Sequence, residues 1–170
     1  MLLNLDTIPP HYKKYVKLID ESDMLQALRI SGHRAQEFVH ALTPALADHR
    51  YAEGKWSVRE VLCHVMDAER IFAYRALRFA RNDQTPLAGF DENSYATRAH
   101  AEGRSLRQLA NEMKHLRQST LDLFESFSPD MLLRKGVANQ AEISVMALGF
   151  VIAGHETHHL SILKDRYVAK

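Results

Sequence analysis

The sequence predicts an all-α protein, an antiparallel four-helix bundle with a long crossover between its second and third helices. Two observations lead to this prediction. Only 7 glycines and 5 prolines occur among the 170 residues, and they cluster between long uninterrupted segments. Four of those segments, each about 20 residues long, repeat apolar residues at helical spacing, and one long connection separates the middle two. We interpret residues 1–170 as a single domain of this kind.

The first helix is predicted from about Ser22 to Leu42, where apolar residues such as Leu25 and Leu28 recur three or four positions apart. A proline disfavours helical backbone in the residue before it, so the pair Thr43-Pro44 ends this helix. The segment before it, residues 1–20, carries the pair Pro9-Pro10 and is interpreted as an irregular lead-in.

The second and third helices each begin at a capping box, in which a serine and the acid or amide three positions later bond each other's backbone N–H groups. Ser57 opens the second helix, which is predicted to run to about Ala80, and Ser105 opens the third. The pair Ser128-Pro129 ends the third helix, and residues 82–104 form the long connection. The fourth helix is predicted from about Ile143 to Tyr167.

Charge and composition exclude several classes of protein. Lys and Arg total 22 against 21 Asp and Glu, so the net charge of +1 provides no basic surface for nucleic acid. No apolar run approaches the roughly 20 residues that a membrane-spanning helix needs. The first residues lack the pattern of a signal peptide, and the single cysteine, Cys63, is typical of a reducing compartment. We therefore expect a cytoplasmic protein whose partner is a small-molecule substrate.

Histidines carry the strongest chemical signal. His155 and His159 are four residues apart in the fourth helix, so their imidazoles share one face and can bind the same ion. That face is otherwise apolar, and buried imidazoles are costly unless their nitrogens have partners. His64 lies on the apolar face of the second helix and is the best candidate for a third ligand. Three histidines leave a coordination position open, as in catalytic zinc sites.

The segment from His155 to His159 also spells H-E-x-x-H, the zinc metalloprotease motif. A metalloprotease needs a third ligand further along the chain, but only 11 residues follow His159. The extended form of the motif requires glycine and histidine where Ile162 and Asp165 stand. The protease interpretation therefore fails. Glu156, which flanks the metal face, remains the candidate catalytic residue as a general base, and an acid that only orients a ligand is the alternative.

Residues 54–67 read G-K-W-S-V-R-E-V-L-C-H-V-M-D, which resembles the G-x-W-[ST]-x-x-x-[VL]-x-x-H-[LV]-x-D signature of the DinB/YfiT-like superfamily. The pair Thr85-Pro86, the segment Phe90-Asp91-Glu92 and the closing H-x-x-H-H pattern at residues 155–159 extend the resemblance. It implies a bundle, often a homodimer, that holds zinc or nickel through His64, His155 and His159.

The resemblance leaves the reaction open. Relatives include S-transferases that use bacillithiol or mycothiol, a mycothiol-dependent isomerase, and proteins described as metal-dependent hydrolases. We therefore expect a divalent-metal-dependent enzyme that acts on a small molecule, either as a low-molecular-weight-thiol S-transferase or as a hydrolase. The alternative is a non-catalytic metal- or ligand-binding bundle of the stress response. Because metal binding requires neutral imidazoles, we expect it to weaken as the pH falls through about 6.5.

Overall fold

The computed structural model describes residues 3–168, which form seven α-helices and one β-hairpin. In chain order the helices are α1 (Pro10–Val16), α2 (Met24–Ala41), α3 (Val58–Ala80), α4 (Glu92–Arg98), α5 (Leu106–Glu125), α6 (Pro129–Leu133) and α7 (Val145–Ile162). The hairpin, β1 (Lys135–Ala138) and β2 (Ala141–Ser144), lies between α6 and α7. A π-helical segment, Leu163–Val168, continues α7. No helix among residues 3–168 is long and apolar enough to cross a membrane.

The four long helices, α2, α3, α5 and α7, form the predicted four-helix bundle. Both α2 and α3 pack against α5 on one side and against α7 on the other. The buried apolar residues form two clusters. Along the chain, α2 and α7 lead from the first cluster to the second, whereas α3 and α5 lead from the second to the first, so the two pairs of helices run in opposite directions. Since α3 and α5 run in the same direction, the chain must return along the bundle between them. The long crossover at residues 81–105 makes that return.

Polar side chains separate the two apolar clusters. One cluster holds the start of α2 and most of α7, and the other holds the end of α2 and the start of α3 and α5. Between them lie buried residues that an apolar bundle would not contain, namely Ser31, His64, Glu69, Arg117, His155 and Glu156. A buried polar layer requires internal partners, since water cannot supply them. The candidate site lies in this layer.

The expectation of an irregular lead-in over residues 1–20 is wrong for part of that segment. Helix α1 occupies Pro10–Val16 and buries Tyr12 and Val16 against α7. Its seven residues are too few to give a clear helical period, and Pro10 at its first turn is compatible with a helix start. Residues 1 and 2 lie outside the described part of the chain.

The predicted start of the fourth helix is two residues too early. Ile143 belongs to β2, and α7 begins at Val145 with Ser144 as its N-cap. The hairpin turns through Asn139 and Gln140, whose φ angles of 49° and 64° match the left-handed turn that two-residue hairpins prefer. The N–H of Leu87 donates to Val137 O at 2.9 Å, which ties the crossover to this hairpin.

Candidate metal centre

The structure brings the three predicted histidines together. Candidate ligand atoms of His64, His155 and His159 all lie within 4.8 Å of one another. Nε2 of His64 is 3.1 Å from Nε2 of His155, and the rings of His155 and His159 have centroids 4.5 Å apart. His64 and His155 are buried, and His159 is partly exposed. Two helices that run in opposite directions, α3 and α7, therefore contribute to one cluster.

Local sequence fixes the helices that carry these side chains. The Ser57 N–H donates to Glu60 Oε2 at 2.6 Å, and Ser57 Oγ accepts from the Glu60 N–H at 3.3 Å, so the predicted capping box starts α3 seven residues before His64. On α7, Gly154 allows α1 to approach closely. A Cβ at Gly154 would lie 2.2 Å from the Tyr15 carbonyl oxygen. The Tyr15 ring contacts the ring of His155, with a centroid distance of 5.1 Å.

The surroundings keep the three imidazoles neutral. Burial lowers the pKa of His64 to about 4. Burial, followed by the neighbouring His64 and His158, lowers the pKa of His159 to about 3. Burial, then His159 and His64, hold the pKa of His155 well below its ordinary value. A metal binds the neutral form of imidazole, so the cluster has the protonation state that a ligand set requires.

The hydrogen-bond pattern of the cluster is incomplete, which allows a test of whether a metal fits. A shared proton can satisfy the two facing Nε2 atoms of His64 and His155, but Nδ1 of His64 is buried without a partner. Nδ1 points away from the facing Nε2 atoms, so an ion held by those atoms would leave Nδ1 to a water molecule, and the fit of a metal depends on the donor set. Three neutral imidazoles suit zinc or nickel. The donor set fits a divalent metal of this kind.

Comparison with known proteins identifies the family. The family model of the DinB superfamily matches residues 27–163, which include all three histidines. The chain belongs to the DinB superfamily. A curated relative from Oceanobacillus iheyensis, named "Putative metal-dependent hydrolase OB0413", is 24% identical over 151 residues, covering 88% of this chain and 86% of the relative.

Solved structures agree on the fold of this DinB-superfamily chain. One is YfiT from Bacillus subtilis, described as "a probable metal-dependent hydrolase with an unusual four-helix bundle topology". It matches with a TM-score of 0.73 at 16% identity, over 94% of this chain and 88% of YfiT. A mycothiol-dependent maleylpyruvate isomerase matches with a TM-score of 0.69 at 12% identity. That match covers 99% of this chain and 64% of the isomerase.

Two cavities reach the histidine cluster of the DinB-superfamily chain from different sides. The first, of about 230 Å³, has His64 and His155 in its wall together with residues of α1, α3 and the hairpin turn. The second, of about 270 Å³, has His159 in its wall beside Trp56 and Tyr167. Tyr167 donates its hydroxyl hydrogen to Trp56 O at 2.7 Å, which fixes the rim of the second cavity. Glu92 and Asn93, at the start of α4, line the first and the second cavity respectively.

The structure does not bring Glu156, the predicted catalytic base, together with the histidines. Its carboxylate lies on another face of α7, where Oε2 is 2.9 Å from Arg117 Nη1. Arg117 also donates from Nε and Nη2 to the two carboxylate oxygens of Glu69, both at 2.9 Å. Consecutive residues on a helix point about 100° apart, so the neighbour of a ligand faces elsewhere. The geometry therefore favours a structural ion network for Glu156 and gives it no contact with the candidate metal centre.

The buried ion network has an excess of negative charge. Burial lowers the pKa of Arg117, but Glu156 and Glu69 outweigh that effect and raise it. Burial also raises the pKa of Glu156, and Arg117 only partly offsets this. One guanidinium thus joins α5 to both α3 and α7 across the polar layer. This pairing cannot be read from local sequence, because Glu69, Arg117 and Glu156 are far apart in the chain.

Several residues of the first cavity were also missed by sequence reasoning. Tyr12 and Tyr15 come from α1, which was expected to be irregular, and Asn139 comes from the hairpin turn. Arg75 lines the same cavity from α3, about three helical turns after His64. Burial, then the positive charges of Arg75 and Lys14, lower the pKa of His11 in this wall. Arg75 lies in the arginine-rich end of α3, and that local enrichment is the one sequence feature that could have pointed to it as a cavity residue.

Proposed function

We propose that this chain is a divalent-metal-dependent enzyme in which His64, His155 and His159 hold zinc or nickel. The proposal is supported by the donor set itself, three neutral imidazoles within 4.8 Å on two rigid helices. Membership of a superfamily whose curated relative is named for metal dependence also supports it. Three protein ligands leave room for a substrate atom, which is typical of catalytic rather than structural sites.

The reaction that we propose is transfer of a group between a low-molecular-weight thiol and a small electrophile. One observation carries this choice, namely that two separate cavities reach the same histidine cluster. A reaction of two organic substrates needs two such spaces, whereas hydrolysis needs one space and water. Bacillithiol and mycothiol are the candidate thiols. A bound divalent cation would lower the pKa of a thiol, so that the thiolate is populated near neutral pH.

The chain's own residues supply positioning and exclusion of water. The Trp56 ring packs against His64 with a centroid distance of 4.8 Å, and the Phe72 ring lies 5.9 Å from that of His155. These aromatic rings, together with Tyr15, keep the imidazoles buried and neutral. A thiolate held against these rings would be partly desolvated, which increases its reactivity towards the electrophile. The step forms one carbon–sulfur bond, the leaving group departs with its electron pair, and the thiol proton goes to solvent.

Hydrolysis is the second candidate, because the Oceanobacillus relative and YfiT are both described as metal-dependent hydrolases. A metal lowers the pKa of bound water, and a carboxylate in the site would assist by accepting the proton, but the carboxylate of Glu156 is engaged by Arg117. Glu92 is the acidic residue that lines the first cavity, and its side chain is exposed. Glu92 would therefore be the candidate base in this second reaction.

Product analysis with paired substrates tests the proposal. The protein, loaded with zinc or nickel, is incubated with iodoacetamide and bacillithiol, mycothiol or glutathione, and separately with p-nitrophenyl acetate and no thiol. We expect thioether formation above the uncatalysed rate, lost in His155→Ala and kept in His33→Ala, whose imidazole is 74% exposed on α2. Thiol-independent ester cleavage that is lost in His155→Ala would overturn the transfer reaction in favour of hydrolysis. Metal binding with neither activity would favour the non-catalytic bundle.

A further inference from the structure

Arg75 lies in the wall of the first cavity, and no acidic side chain among residues 3–168 neutralises its charge. The residue is only 3% exposed. Its Nη1 donates to the Tyr12 hydroxyl at 3.2 Å, and its Nη2 donates to the Ala88 carbonyl at 3.0 Å. Both acceptors are neutral. Among residues 3–168, no carboxylate oxygen lies within 4.0 Å of an Arg75 nitrogen.

The contrast with Arg117 shows how unusual this arrangement is. Arg117 is 6% exposed and has two carboxylates within 2.9 Å, as a buried cation requires. A buried charge without a counter-charge destabilises the folded protein unless another group compensates it. A guanidinium offers five N–H donors, and Arg75 uses two of them in the described part of the chain. Three donors therefore remain for a ligand.

With Arg75 included, the charged residues of the cavity wall sum to one positive charge, because Lys14 and Glu92 offset each other. Lys14 lines it from α1, and its ammonium lies 4.8 Å from the centroid of the Tyr15 ring. Glu92 is the acidic residue of the cavity wall, and it is exposed and beyond ion-pair distance of Arg75. His64 and His155 stand in the same wall as Arg75. A small molecule whose anionic group binds Arg75 would therefore occupy the same cavity as His64 and His155.

We propose that Arg75 binds the carboxylate of the small molecule that enters the first cavity. This inference deepens the proposed function, on which it rests for the identity of the cavity as a substrate site. Tyr12 and Ala88 hold the guanidinium plane in place, so the remaining N–H groups are oriented before the ligand arrives. Paired parallel N–H groups match the two oxygens of a carboxylate. The carboxylate belongs either to the thiol or to the electrophile.

Binding of a matched pair of probes tests the subsite without any need for activity. The 15N-labelled protein, as purified and again after dialysis against EDTA, is titrated with succinate and with its neutral analogue succinamide, and arginine Nε–Hε signals are followed by NMR. We expect succinate to bind at least about tenfold more tightly than succinamide in both samples. Arg75→Gln removes that preference, Arg75→Lys keeps part of it, and Arg107→Gln, an exposed position outside both cavities, keeps all of it.

If Arg75→Gln does not fold, the wild-type NMR spectrum still shows whether Arg75 binds succinate. The Nε–Hε signal that is missing in Arg75→Lys must shift with succinate and stay in place with succinamide. Two results would overturn the subsite. One is equal binding of succinate and succinamide, and the other is a succinate titration in which other signals shift but the Arg75 Nε–Hε signal does not. The EDTA-treated sample keeps this test independent of the metal, so a failure of the proposed enzyme activity leaves the titration informative.

Kinetics then identify which substrate carries the carboxylate. In one arm iodoacetate is compared with iodoacetamide at a constant thiol, and in the other N-acetylcysteine is compared with its amide at a constant electrophile. In the pair whose carboxylate contacts Arg75, Arg75→Gln is expected to raise the KM of the charged substrate about tenfold. The KM of its neutral analogue should stay unchanged. An unchanged KM in both arms would refute a role for Arg75 in substrate binding.

Discussion

Adding one methyl group at Gly154 tests the contact between α1 and α7 on which the first cavity depends. In Gly154→Ala the new carbon would lie 2.2 Å from the Tyr15 carbonyl oxygen and 2.5 Å from its carbonyl carbon. Ordinary van der Waals contact begins at 3.4 Å, so α1 must move away from α7 by about 1 Å. Both atoms belong to the backbone, so no side-chain rotation can relieve the clash.

The expected loss of stability is about 2 kcal/mol. Overpacking costs about 1–3 kcal/mol, and a rigid backbone neighbour places this site near the upper end. Alanine is about 1 kcal/mol better than glycine in a helix interior, which offsets part of that cost. With a urea dependence of about 2 kcal/mol/M, the midpoint of unfolding should fall by about 1 M.

Two other glycines provide matched controls. Gly149 is also on α7, but a Cβ there would meet side chains, Met24 at 2.2 Å and Phe124 at 3.2 Å, and the flexible Met24 can move, so Gly149→Ala should cost less stability than Gly154→Ala. Gly103 has nothing within 4 Å, and Gly103→Ala should be neutral or slightly stabilising. Urea unfolding followed by circular dichroism measures all three variants. A Gly154→Ala protein as stable as wild type would refute the close approach of α1.

Two further predictions concern the polar layer. Replacing Arg117 by Met leaves the carboxylates of Glu69 and Glu156 buried without a cation, so unfolding experiments should show a loss of about 3–5 kcal/mol, and a loss below about 1 kcal/mol would contradict the ion network. Because burial lowers the pKa of His64 to about 4 and that of His159 to about 3, the unfolded chain binds more protons than the folded metal-free protein below about pH 6.5. Metal-free protein should therefore lose stability from pH 7 to pH 5, with a smaller change in His64→Ala, whereas an unchanged urea midpoint would show that these imidazoles are not buried in the neutral form.

The same pKa shifts revise an expectation drawn from the sequence. An unperturbed imidazole predicts loss of metal as the pH falls through about 6.5. In the folded protein the proton competes less well, because the pKa of His64 is lowered to about 4. Metal binding, followed by equilibrium dialysis, should thus persist below pH 6 and decline only as the pH approaches about 4. A midpoint above pH 6.5 would show that the ligands are not the buried histidines.

Much of the fold followed from local signals in the sequence. The capping boxes at Ser57 and Ser105 placed the starts of α3 and α5, and both are present in the structure. Apolar spacing alone placed His64 and His155 on faces that point into the bundle, where the structure finds them. Capping and periodicity are properties of a few neighbouring residues, so a sequence reveals them directly.

What sequence reasoning missed depends on contacts between distant residues. Helix α1 is too short to form without α7, and nothing in its own residues shows that α7 will be beside it. Glu156 was placed near the metal because it is adjacent to His155 in the chain, whereas its partner Arg117 lies 39 positions earlier. Burial of Arg75 without a counter-charge likewise depends on Tyr12 and Ala88, which come from other segments.

Elemental analysis of the purified protein tests the metal centre most directly. Wild type, His155→Ala and His33→Ala are prepared without a polyhistidine tag, loaded with zinc or nickel, and dialysed. A three-histidine centre predicts about one metal ion per chain in wild type and in His33→Ala, and loss of that ion in His155→Ala. Retention of the full metal content by His155→Ala, or absence of metal from wild type after loading, would contradict the centre.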